Sequence, residues 1–177
     1  MWPDVKAIYI ARDPRDIYAS FRKKREQRGK PLSVGTFVRR MRASLSAWDA
    51  FMKRHPERGL CVLYEDLAQE PRKVTEQIAA FLEVQWQPVL LSPTQADQPW
   101  GGNSMYDEAH SGLSVTPIGR YSLSLTPSEV RAIEYRLGPL FERFAWSLDD
   151  SDRSRGRMGD WTAVVRTLLS SNSRRPA

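Results

Sequence analysis

The chain has 177 residues, 41% of them hydrophobic and 27% charged, a net charge of +6, one cysteine and two histidines. The length suits one domain or a large part of one, and the hydrophobic fraction is enough for a packed core. The lone Cys61 excludes an internal disulfide, no His/Cys cluster suggests a zinc site, no run is apolar enough to span a membrane, and the amino terminus does not read as a signal peptide, so a reducing cytoplasmic setting is expected.

The first element is Ala7-Ile8-Tyr9-Ile10-Ala11, a short, partly β-branched apolar run that reads as a buried strand. It runs directly into Arg12-Asp13-Pro14-Arg15-Asp16. Asp13 is a good helix N-cap, Pro14 suits the first helical position, and Asp16 falls in the first turn. Ile17, Tyr18 and Phe21 then give one face of a helix. A strand–turn–helix unit puts Arg12 at the carboxyl end of a strand, where open α/β sheets bind their ligands. Ser20 follows about two turns into the helix. An arginine fork and a hydroxyl so placed could hold a compact anion such as phosphate. The competing reading is a solvated turn in which Arg12 and Arg15 pair with Asp13 and Asp16.

Much of the positive charge gathers in Phe21–Lys30, "FRKKREQRGK". A solvated helix end and a field that attracts an anionic ligand both account for it. A nucleic-acid surface ranks below them, because no aromatics interleave the cluster and no nucleic-acid motif accompanies it. Phe37, Val38, Met41, Leu45, Trp48 and Phe51 recur at helical spacing, with Trp48 expected in the core and His55 at the helix end. Leu60–Tyr64 reads as a second buried strand, parallel to the first because a helical crossover joins them, with Cys61 packed as a small hydrophobe. Val74, Ile78, Phe81 and Leu82 give the next helix its apolar face.

From Trp86 to Tyr121, Pro88, Pro93, Pro99, the pair Gly101-Gly102 and Pro117 break any long element. A loop this long is usually functional or disordered. Trp86, Trp100 and Tyr106 are candidates either for contacts to a ligand or for anchoring the loop. His110 lies in the same polar stretch. Thr126, Pro127 and Glu129 then form a capping box with proline at N1, and Val130, Ile133, Leu137, Leu140, Phe141 and Phe144 form an apolar stripe. Gly138-Pro139 should kink that helix or split it. Ser147–Trp161 is polar and charge-rich, Trp161–Leu169 reads as a last short helix, and the final residues as a frayed tail. The division expected is one domain over residues 1–166 and a flexible tail over 167–177.

"RDPRDIYAS" resembles the 3′-phosphate-binding motif of the sulfotransferases that use 3′-phosphoadenosine 5′-phosphosulfate (PAPS), in which an arginine at the strand end and a serine eight residues on hold the nucleotide's 3′-phosphate. The resemblance implies that role for Arg12 and Ser20. "CVLYEDLAQEPRKVTEQIAAFLEV" is similar to the family's second block and implies that Tyr64 packs against adenine. "SRGRMGDW" resembles the loop that closes over the 3′-phosphate, with Arg155 and Gly156 as its basic-glycine pair. Ser154 stands where many cytosolic eukaryotic members carry a further arginine. The segment 114–134 resembles one that bacterial-type members carry before their last large helix.

The family's opening motif, a P-loop-like strand–loop–helix with Lys, Ser and Gly-Thr-Thr that grips the 5′-phosphosulfate, has no counterpart among these residues. No catalytic base can be named, since the family's base precedes the 3′-phosphate motif and both His55 and His110 follow it. The expectation is therefore an incomplete α/β P-loop-type sulfotransferase domain with a short parallel sheet flanked by helices. Its cosubstrate would be PAPS and its acceptor a hydroxyl or amine of unknown identity. No metal is expected. The isolated chain is expected to be inactive, and exposed sheet surface to favour self-association. The alternatives are a non-catalytic remnant or interaction module of the same fold and, ranked below it, a basic nucleic-acid-binding domain.

Overall fold

The computed structural model describes residues 4–92, 94–95, 98–99 and 115–149. Strand β1 (Ala7–Ala11) and strand β2 (Gly59–Leu63) form a parallel pair in the register Ala7↔Gly59 through Ala11↔Leu63. Between them run helix α1 (Pro14–Gln27) and helix α2 (Val34–Arg54), the helical crossover a parallel pair requires. Helices α3 (Tyr64–Gln69) and α4 (Pro71–Leu82) follow β2 directly. Two-residue strands β3 (Thr94–Gln95) and β4 (Gln98–Pro99) pair antiparallel, and helix α5 (Pro127–Arg143) follows the 115–125 segment.

The caps are those the local sequence favours. The Asp13 side chain accepts from the Arg15 amide, with Pro14 at the first helical position. Ser33 caps α2 through the Thr36 amide, and His55 is that helix's C-cap. Thr126 and Glu129 close a reciprocal capping box on α5. Leu137 in α5 leaves helical geometry (φ −116°, ψ 16°), two residues before Pro139, so the proline kinks the helix as its missing amide and ring demand.

The core lies between α1, α2 and α5: Tyr18, Phe37, Val38, Val130, Ile133, Leu137 and Phe141 are all buried. Alternation along the strands assigns the sheet faces. Tyr9 stacks on Trp48 of α2 at 5.2 Å. Gly59 admits α2 so closely that a Cβ there would come within 1.9 Å of the Met52 sulfur. On the other face Val62 is buried on the side of α4, together with Val74 and Ala79.

Two expectations are corrected. β1 is not buried throughout: Ile8 is 37% and Ile10 54% exposed, because α4 packs against β2 and leaves their face of β1 uncovered. Cys61 is exposed rather than packed. It shares the Tyr9 face, but the cover provided by Trp48 and Met52 over Tyr9 and Gly59 stops short of it.

Candidate functional site

Both strands end at the same level. With Ala11 paired to Leu63, the next residues, Arg12 and Tyr64, emerge side by side at the carboxyl edge of the sheet. The Arg12 guanidinium lies over the Tyr64 ring at 4.3 Å, a cation–π contact. One of its terminal nitrogens, Nη2, donates to the Pro117 carbonyl at 2.8 Å. Its Nε is buried and has no hydrogen-bond partner. A buried donor left unpaired costs about 1–3 kcal/mol.

The two arginines of the turn have opposite fates, and neither is solvated. Arg15 is 3% exposed and pairs with Asp13 through Nε and Nη2, the latter at 2.6 Å. Its Nη1 reaches Glu134 of α5 at 2.5 Å, and Nη2 also donates to the Ser147 carbonyl. The guanidinium lies over the rings of Tyr121 and Phe141. Burial pulls this guanidinium's pKa down, but the hydrogen bond and charge of Asp13, with the charge of Glu134, hold it above the ordinary value. Arg15 is thus a structural rivet that ties the turn to α5. Arg12 has no carboxylate partner among the described residues.

Asp16 is equally buried, at 3% exposed. Its two carboxylate oxygens accept the amides of Gly119 (2.8 Å) and Tyr121 (2.9 Å). Burial raises its carboxyl pKa, against the pull of those two amides and of Arg12. Glu65, the residue after Tyr64, accepts the Asp13 amide at 2.9 Å and the Trp146 indole at 3.4 Å, so the ends of β1 and β2 are tied together beneath the site.

Ser20 is half-buried on α1, one turn beyond Asp16 on the same helix face, and its hydroxyl has no hydrogen bond among the described residues. Beside Arg12 a groove of about 210 Å³ runs along β1, lined by Ile10, Ala11, Phe21, Met41, Phe144 and Trp146 among others. A second concavity of about 420 Å³ lies at the amino end of α2, among Ser33, Thr36, Arg39, Arg42 and Arg136, and includes none of the residues expected from sequence.

The structure therefore brings Arg12 and Tyr64 together and sets Ser20 on the helix that follows. Arg155 and Gly156 lie outside the described residues, as do Trp100, Tyr106, His110 and the expected boundary at residue 166. Trp86 donates to the Thr75 hydroxyl at 3.0 Å and lies under Arg72, so it anchors its loop to α4. Within the basic run, Arg22 is held by Glu129 and the Ser124 carbonyl. Sequence reasoning missed Glu65, Pro117 and the acceptor role of Asp16. Only Glu65 had a signal, an acidic residue directly after the second strand.

These features define an α/β protein of P-loop type, with a short parallel sheet flanked by helices. Residues 1–88, just under half of the chain, match the model of the sulfotransferase family. The fold is similar to that of the "Sulfotransferase Domain from the Curacin Biosynthetic Pathway", with a TM-score of 0.62 and 20% identity over 84% of this chain and 56% of that one. The chain thus spans a little over half the length of that domain. No curated protein matches it.

Proposed function

We propose that this chain supplies the part of a PAPS-dependent sulfotransferase that holds the 3′-phosphate end of the nucleotide. The observation that carries the reading is Arg12: a guanidinium at a strand's carboxyl end, lying over Tyr64, with a buried Nε that has no partner. Together with the unengaged Ser20 hydroxyl this donor set fits a doubly charged phosphate, which an arginine fork binds through parallel charge-assisted hydrogen bonds. Arg12 and Ser20 would hold the phosphate. Tyr64 would flank the adenosine, and Arg155 with the Gly156 amide would cover it. The nucleotide, when bound, supplies the sulfuryl group that passes to a hydroxyl or amine acceptor. The protein's contribution on this side is to bind and orient.

Positioning at the remote end lowers a barrier only when paired with interactions made in the transition state. The sequence offers no Lys/Gly-Thr-Thr motif for the 5′-phosphosulfate, so residues 1–177 alone are expected to transfer no labelled sulfuryl group to phenols, sugars or lipid alcohols. The test of the reading itself is calorimetry with 3′-phosphoadenosine 5′-phosphate against 5′-AMP. One charge-assisted contact is worth about 1.5–3 kcal/mol, so Arg12→Ala should weaken the bisphosphate tenfold or more while leaving AMP unchanged. Equal affinity of the unaltered chain for the two nucleotides would refute the reading.

A further inference from the structure

Among the described residues Arg12 makes one hydrogen bond, to the Pro117 carbonyl, and one cation–π contact, to the Tyr64 ring. The carbonyl belongs to a turn whose place is set from α1. Asp16 could in principle serve its own helix, as acidic residues in a first turn do through the macrodipole. It does not stop there: each of its oxygens accepts a backbone amide of the turn, Gly119 on one and Tyr121 on the other. A buried carboxylate that accepts two amides is a rigid two-point clamp, since releasing either amide leaves buried polar groups unpaired. Gly119 itself sits at φ +75°, a backbone state that glycine adopts without strain and that aims its amide inward at Asp16.

The chain of contacts is short and continuous: Asp16 to Gly119 and Tyr121, the turn to the Pro117 carbonyl, the carbonyl to Arg12. We propose that Asp16 is a positioning residue for the 3′-phosphate, its buried carboxylate clamping the 117–121 turn so that Pro117 holds the Arg12 guanidinium over Tyr64 in the orientation that receives the anion. The inference rests on the nucleotide reading and deepens it. A long arginine side chain loses much rotamer freedom when it binds, and one already held on two sides has less to lose. The Pro117 carbonyl engages one N–H of the five that the guanidinium offers, and leaves the Nε–H without a partner for the ligand.

The test is Asp16→Asn, which keeps the size but turns an NH₂ toward one of the two amides. Affinity for 3′-phosphoadenosine 5′-phosphate should fall about tenfold with AMP affinity unchanged. The ¹⁵N-detected Nε–H signal of Arg12, identified by its loss in Arg12→Lys, should exchange with water faster than in the unaltered chain. If Asp16→Asn does not fold, Gly119→Pro breaks the same clamp from the exposed side, by removing the amide and forbidding φ +75°, and the same two changes are expected. Retention of the full 3′-phosphate preference in the folded variant, while Arg12→Ala abolishes it, overturns the inference and leaves the nucleotide reading standing. Equal losses for both nucleotides show a merely structural Asp16 and also overturn it. Retention of the preference in Arg12→Ala refutes the nucleotide reading and the inference with it.

Discussion

Replacing Arg15 by methionine should be among the most destabilising single changes in the chain. The side chain is 3% exposed and engages Asp13, Glu134 and the Ser147 carbonyl, with the Tyr121 and Phe141 rings against its plane. Methionine fills much of the same space, so little of the effect comes from a cavity. What it removes is the cation between two carboxylates whose side chains are only 11% and 12% exposed. Breaking a buried ion pair from one side costs about 3–5 kcal/mol, because the remaining charge has no compensation. In a chain of this size that is a fall in melting temperature of roughly 6–20 °C. Lysine should rescue only a minor part, since one ammonium cannot reproduce the fork that meets Asp13 through Nε and Nη2 while Nη1 reaches Glu134. Adding Glu134→Gln to Arg15→Met should recover part of the loss by removing one stranded charge. Urea unfolding followed by circular dichroism measures all three. A loss below about 1 kcal/mol for Arg15→Met, the value of an exposed pair, would refute the view that this network rivets the turn to α5.

Glu129 gives a pH prediction. Burial raises its carboxyl pKa, but the Thr126 amide and Arg22 outweigh that and hold the folded value below the ordinary one. A depressed folded pKa contributes stability that is present above the unfolded value and is lost as pH falls through the folded one. Melting temperatures followed downward from pH 6 should therefore fall less steeply in Glu129→Gln than in the unaltered chain, and parallel curves would contradict the assignment. Cys61 should react with a disulfide reagent in the native protein, because it is exposed, yet more slowly than a free thiol, because partial burial raises its pKa; no reaction before unfolding would refute its exposure. Ile8 and Ile10 lie uncovered on β1, so self-association is expected, and Ile10→Lys should reduce it in sedimentation at tens of micromolar. A monodisperse monomer before substitution would count against that expectation.

The parts of this fold that are legible in the sequence are those decided locally. Asp13-Pro14 fixes where α1 begins, and Thr126-Pro127 with Glu129 does so for α5. The six-residue helical spacing from Phe37 to Phe51 fixes the inward face of α2, although Met41 and Phe51 end only half-buried. Arg12 is legible as a strand-end cation because its position depends on the next element alone. Cys61 and the Ile8/Ile10 face were misjudged for one shared reason: an apolar run shows that a strand can be covered, and only the helices packed on it decide which residues are. Pro117 was beyond reach altogether, since its carbonyl meets a side chain 105 residues earlier.

The four charged residues of the Arg12–Asp16 turn divide the labour in a way that composition cannot reveal. Asp13 and Arg15 neutralise one another inside the protein and are completed by Glu134. Asp16 is spent on backbone amides. That leaves Arg12 as the only member of the four without an opposite partner among the described residues, held by a neutral ring and a neutral carbonyl. A salt bridge to Asp16 would have satisfied Arg12 and silenced it. Because Gly119 and Tyr121 occupy that carboxylate instead, Arg12 feels Asp16 only through space and without a hydrogen bond, and an anion that reaches Arg12 displaces no carboxylate. The same folding contacts that bury three of the four charges therefore set the electrostatic character of the fourth.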